Sequence, residues 1–142
     1  MCIRDRPDAQ IKCDIVFVHG LGGDGNLTWC HEGLQKNYWP NWISEEFNDC
    51  NVWSYTYRAT PAKFFGESSL LSSSSRDLLA KLEINSIGSN RPVIFVCHSL
   101  GGLVTKKVIN RTKLKGKFDN FFSKGVGVAF FATPHKLSLI HI

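Results

Sequence analysis

Four runs of the chain, at 14–19, 52–57, 92–98 and 125–133, are near-continuously apolar and rich in valine, isoleucine and phenylalanine. Strands covered on both faces in a parallel sheet read this way, without strict alternation. Between them the apolar spacing becomes helical. Trp39, Trp42, Ile43 and Phe47 fall at i, i+3, i+4 spacing within 37–47, and Pro40 suits a first turn. Leu71, Leu78, Leu79 and Leu82 predict a second helix, with Ser74 and Asp77 as its capping pair and the serines of 68–75 in that cap and an exposed loop. Leu100, Leu103, Val104 and Val108 predict the inner face of a third. Such alternation implies an α/β fold: a doubly wound, mostly parallel sheet with helices on both faces and right-handed crossovers. There is no internal repeat and no linker.

Two of the runs end in loops that carry chemistry. The third ends in Cys97-His98-Ser99-Leu100-Gly101-Gly102 and passes at once into the third helix. This is the layout of a nucleophile elbow, in which a serine sits on a sharp strand-to-helix turn. The turn lifts the Ser99 hydroxyl over the carboxyl edge of the sheet and aims the Leu100 N–H at a reacting carbonyl oxygen. Small neighbours are required there. Gly101 supplies one, and Cys97 stands where the commoner pattern has glycine. The first run ends in His19-Gly20-Leu21-Gly22-Gly23, a loop of the kind that supplies the second oxyanion donor, here the Leu21 N–H. His98 precedes the serine on its strand, so its ring points away from the hydroxyl. His19 reads as a structural loop histidine rather than a base.

The chain ends bear on what counts as fold. Residues 137–142 can be encoded by CTGTCTCTTATACACATC, and the reverse complement of that string, read from its ATG, encodes residues 1–5 and begins the codon of Arg6. One short DNA element, read as a transposase end used to tag sequencing libraries, accounts for both. Residues 1–6 and 137–142 are therefore set aside, and 7–136 are expected to be the authentic segment, one partial domain cut from a longer gene. Such a cut leaves the 125–133 strand at a bare edge, with Val126, Val128, Phe130 and Phe131 short of neighbours.

The net charge of +5 falls to +4 without Arg4, Asp5 and Arg6. That is too modest for a dedicated nucleic-acid binder. Lys106, Lys107, Arg111, Lys113, Lys115 and Lys117 cluster on and beyond the third helix. The plain reading is a solvated face that complements the helix dipole; the sharper one is peripheral association with an anionic membrane. Cys13, Cys30, Cys50 and Cys97 form no Cys-x-x-Cys pair, so no zinc or redox motif is expected. Nothing in their spacing suggests a disulfide framework, which favours an intracellular setting. No apolar run approaches the ~20 residues of a membrane span.

Phe17-Val18-His19-Gly20-Leu21-Gly22-Gly23, Thr28-Trp29, Tyr55-Thr56-Tyr57-Arg58, Cys97 to Val104 and Ala132-Thr133-Pro134-His135 are ordered as in one group of proteins. Residues 13–136 resemble the lipase-like serine esterases of the α/β-hydrolase superfamily. The likeness is to the branch of the serine active site-containing proteins and the hydrolase domains at the front of NACHT and repeat-bearing signalling proteins. The resemblance implies hydrolysis of a carboxylic ester, a lipid acyl ester or a small-molecule one, through an acyl-enzyme on Ser99, with no metal and no cofactor. It makes His19, Gly20, Gly22, His98 and His135 residues that border the site, and suggests Trp29, Phe64 and Phe65 as an acyl pocket or as core. In this superfamily the triad acid and base follow the serine. Here the last acid is Asp119 and the last histidine before residue 137 is His135. Acid and base are expected beyond Lys136. The alternatives are a non-catalytic hydrolase-like module of a larger signalling or trafficking protein, or thioester or amide cleavage.

Overall fold

Valines and phenylalanines of the first three apolar runs are among the best buried of the described residues: Val16, Phe17, Val18, Val52, Val93 and Phe95 are at most 2% exposed. The computed structural model describes residues 2–4, 11–58, 67–113 and 120–135. Its strands are β1 (Cys2–Arg4), β2 (Cys13–Val18), β3 (Cys50–Tyr55), β4 (Val93–His98) and β5 (Val126–Phe131). Its helices are α1 (Trp39–Glu46), α2 (Glu67–Ile84) and α3 (Leu100–Thr112). The sheet order is β1-β3-β2-β4-β5. β3, β2, β4 and β5 are parallel, with Val18 opposite both Tyr55 and Cys97. Cys2–Arg4, set aside on the sequence, forms a short antiparallel edge on β3.

This order positions the site. From β2 the chain steps to β3 on one side; from β4 it steps to β5 on the other. The winding reverses between β2 and β4, and open α/β sheets bind ligands at the carboxyl ends of strands at such a switch point. The two strands that the sequence marks as carrying glycine-rich loops are the two that flank it. Helices lie on both faces, but the α1 face is left open over β4, where Ile94 is 41% exposed. Ile15, Phe17, Val52 and Trp29 pack with Ile43 of α1 on one side. Val16, Val18 and Phe95 pack with Leu78 and Leu82 of α2 and Val104 and Val108 of α3 on the other.

Several local expectations are corrected. α2 begins at Glu67, so Ser74 is mid-helix and caps nothing. Ser74 and Ser75 are buried, and Ser73 and Ser75 hydroxyls donate to the Leu70 and Ser72 carbonyls, both at 3.0 Å. Bonding back to a helix carbonyl lets serine sit inside a helix without an orphaned hydroxyl. α1 does not bury its tryptophans: Trp39 and Trp42 are 41% and 48% exposed, while Pro40 and Ser44 are buried. Lys106 and Lys107 are not simply solvated; Lys107 Nζ donates to Ser72 Oγ at 2.7 Å, joining α3 to α2. Lys115, Lys117, Phe64, Phe65 and Asp119 lie outside the described residues. β5 is paired only with β4 among the described residues, and Val126, Phe130 and Phe131 stay about two-fifths exposed.

The amino ends of the strands are tied together. Asp14, fully buried, accepts from Arg91 Nε at 2.7 Å and from Trp53 Nε1 at 2.9 Å, so its charge is both paired and hydrogen-bonded. Cys13 and Cys50 lie opposite each other in the β2–β3 register, Cα atoms 4.9 Å apart, and form a disulfide. This corrects the reading that no disulfide framework is suggested and removes the cysteine argument for an intracellular setting: pairing across adjacent strands leaves no spacing signal in sequence. Cys30 and Cys97 are free. Reduction, or Cys50→Ser, is expected to lower the unfolding free energy by about 3–4 kcal/mol, the chain-entropy magnitude for a 37-residue separation. Denaturant melts with and without reductant measure it. Equal alkylation of Cys13 and Cys50 before and after reduction counts against the bond.

Candidate functional site

At the end of β4 the chain turns at Ser99 with φ 49° and ψ −121°, a conformation that non-glycine residues rarely adopt. The Ser99 N–H donates to the Phe131 carbonyl at 2.9 Å, and its own carbonyl accepts the Gly102 N–H at 3.1 Å. The turn is therefore held from β5 and from the first turn of α3. α3 then runs so close to the end of β2 that a Cβ on Gly101 would collide with the carbonyl oxygens of Val18 and His19. Cys97 fits where glycine is commoner because its side chain turns into the core, fully buried, with Sγ donating to Thr105 Oγ1 at 3.2 Å. Burial pushes this thiol up to about 12, so it is not a reactive group.

The β2 loop lies directly against this turn. A Cβ on Gly20 would lie 2.7 Å from Ser99 Cβ and 3.1 Å from the His98 carbonyl oxygen. Among the described residues neither the Leu21 nor the Leu100 main-chain N–H has an acceptor. Leu100 follows the serine directly, and Leu21 follows Gly20, the residue packed against it. His19 is completely buried. Its Nε2 faces the Tyr57 N–H at 3.2 Å and must accept, so the ring is neutral with its proton on Nδ1, which donates to the Gly20 carbonyl at 2.8 Å. Desolvation holds its pKa below 6.5, against the opposing pull of the Gly20 carbonyl and of Asp24.

A cleft of about 550 Å³ opens at His98, the residue before the serine, walled also by Trp29, Cys30, His31, Trp39, Trp42 and Phe131 among others. Trp29 stands edge-on to Phe17 at 5.0 Å and near Trp39 at 6.4 Å; Trp39 meets Phe131 edge-on at 6.0 Å. Trp29 is thus both core and wall. The half-exposed Trp39 and Trp42 form the rim, which is why α1 leaves them uncovered. The lining suits an apolar ligand with few polar fixings.

The structure brings Ser99, Gly20, Leu21, Leu100 and His98 together and keeps other expected residues apart. His98 lines the cleft and meets Trp29 edge-on at 6.4 Å. Gly22 is exposed on the loop rim, at φ 68°. His135 is exposed; its Nδ1 is 2.6 Å from Lys106 Nζ and its ring lies against Phe130. No hydrogen bond joins Ser99 Oγ to a histidine among the described residues. Tyr57, Trp39, Trp42 and Phe131 are not site candidates on sequence alone. For Tyr57 the signal was two tyrosines at i, i+2 at a strand end, which places both on one face.

Two outcomes follow from this packing. Gly101→Ala should destabilise the protein by several times the ~1 kcal/mol typical of point changes, because both clashing atoms are main chain and cannot swing aside; chemical denaturation reads this, and a near-neutral effect would contradict the close approach. His19 favours its neutral form in the folded state, so its contribution to stability is full above pH 6.5 and is lost as pH falls from there toward its lowered folded value. Thermal melts between pH 7.5 and 5 should show a falling midpoint, with a shallower slope in His19→Gln.

A model of the alpha/beta hydrolase family matches residues 15–133. Protein SERAC1 of Mus musculus is 26% identical over 149 aligned residues, and that of Danio rerio 29% over 151; each alignment covers 92% of this chain and 23% of the relative. Protein SERAC1 of Homo sapiens is likewise 26% identical over 149 residues. The chain therefore spans less than a quarter of the length of these curated relatives. No solved structure matches it. A family match over most of its length, together with a parallel sheet whose switch point carries the Ser99 turn, means that the chain belongs to the alpha/beta hydrolase family.

Proposed function

We propose that these residues form the nucleophile and oxyanion half of a serine hydrolase that cleaves carboxylic esters with an apolar acyl part, such as lipid acyl esters. The observation that carries the reading is the strained Ser99 turn set against Gly20, with unpaired main-chain donors on Leu100 and Leu21, the residues that follow them. Ser99 Oγ attacks the ester carbonyl. The Leu21 and Leu100 N–H groups receive the developing oxyanion, aimed in advance by the two loops. The acyl chain lies in the cleft against Trp39, Trp42 and Phe131. A histidine takes the Ser99 proton and returns it to the leaving alcohol, and a carboxylate holds that histidine. The buried neutral His19 is committed to Tyr57 and Gly20, and His135 to Lys106. Neither of these two histidines is free to act as the base.

In the complete protein that contains these residues, a fluorophosphonate probe is expected to label Ser99. Ser99→Ala should abolish labelling and lower p-nitrophenyl ester turnover by on the order of 10⁶-fold, with the far-UV spectrum unchanged. Labelling of another serine, or full turnover in Ser99→Ala, overturns the assignment and leaves a non-catalytic hydrolase-like module. The 142-residue chain alone should show at most the residual of about 10³–10⁴ over water that oxyanion donors and binding provide without a base.

A further inference from the structure

We infer that Tyr57 is a positioning residue for the oxyanion side of the site. It acts through His19 to hold the Gly20–Leu21 loop at the height of Ser99. The inference rests on the hydrolase reading above.

β2 and β3 pair in register as far as Val18 and Tyr55. Beyond that point no ladder holds the two chains together, yet the oxyanion loop begins there. Tyr57 replaces the ladder with contacts to one residue. Its main-chain N–H donates to His19 Nε2 at 3.2 Å, and its phenol donates to the His19 carbonyl at 2.9 Å. Its ring stacks on the imidazole, centroids 4.4 Å apart and planes 20° from parallel. Behind it Tyr55 stacks at 5.2 Å, so the Tyr57 ring is clamped between two others. Burial pushes the Tyr57 phenol pKa upward, so the group stays a donor. The acceptor matters most. The His19 carbonyl is also one of the two oxygens against which Gly101 of α3 rests. One peptide thus ties β3, the oxyanion loop and the helix that follows the nucleophile. Without the phenol that carbonyl is a buried acceptor with no partner, and the peptide can rotate toward other donors. Rotation at residue 19 moves the Leu21 N–H, two residues on. A donor needed only in the transition state then costs turnover rather than substrate affinity.

The test compares Tyr57→Phe with Tyr55→Phe in the complete protein. Tyr55 also loses a buried phenol on substitution, since its hydroxyl bonds the Ser74 carbonyl at 3.1 Å and Asp77 Oδ2 at 2.8 Å, away from the loop. Tyr57→Phe is expected to lower kcat by about 10- to 100-fold with KM within about twofold. It should also speed amide hydrogen exchange in peptides spanning 19–24, while α3 and β4 stay protected. Tyr55→Phe should leave kcat and that exchange unchanged despite a similar loss of thermal stability. Equal kcat losses in the two variants, or unchanged exchange at 19–24 in Tyr57→Phe, overturn the inference. Ester turnover that survives Ser99→Ala overturns the hydrolase reading instead, and the exchange measurement still decides whether Tyr57 holds the loop.

Discussion

The arrangement depends on one close approach: the first turn of α3 rests on the carbonyls that end β2, with no room for a side chain at Gly101. Everything at the site inherits its geometry from that contact. It sets how sharply β4 must turn into α3, and so imposes the unusual conformation of Ser99. It also brings the β2 loop within van der Waals distance of the serine. Strain of this kind persists only when the surroundings over-determine it. Here the Ser99 N–H is held by β5, its carbonyl by α3 and its flank by Gly20.

The sheet supplies the rigidity that this contact needs. β2 and β4 are adjacent and central, β2 almost wholly buried and β4 buried through Val93, Phe95 and Cys97, so their carboxyl ends cannot shift independently. Their amino ends are fixed by the Asp14–Arg91 pair and by the Cys13–Cys50 bridge. At the carboxyl ends the same task falls to side chains: the ladder stops at Tyr55, and the His19–Tyr57 stack carries the alignment two residues further. A fully buried polar cluster of this sort is favourable only when each member is satisfied. His19 meets the condition with both ring nitrogens and its carbonyl engaged.

The cleft follows from a different compromise. α1 covers its face of the sheet with Ile43, Pro40 and Ser44 and leaves two indoles at the rim, where a helix read from periodicity alone would bury them. Helical spacing reports which residues share a face. It does not report whether that face meets the sheet or the edge of a cavity.

Sequence by itself determined the alternation of buried strands and helices, hence the parallel doubly wound sheet, because burial on both faces demands uninterrupted apolar runs. It also singled out Ser99, Gly101 and the His19–Gly23 loop, because a sharp strand-to-helix turn and a close backbone approach restrict residue type so tightly. Only the tertiary structure decided what depends on distance between segments remote in the chain. The Cys13–Cys50 bridge needs strand register, the serines of α2 need a partner helix, and the exposed Trp39 and Trp42 need a cleft beside them. The part played by Tyr57 needs His19 beneath it, 38 residues earlier in the chain. Apart from the two tyrosines at i, i+2 after β3, none of these leaves a local signal, because the constraint acts between segments and not within one.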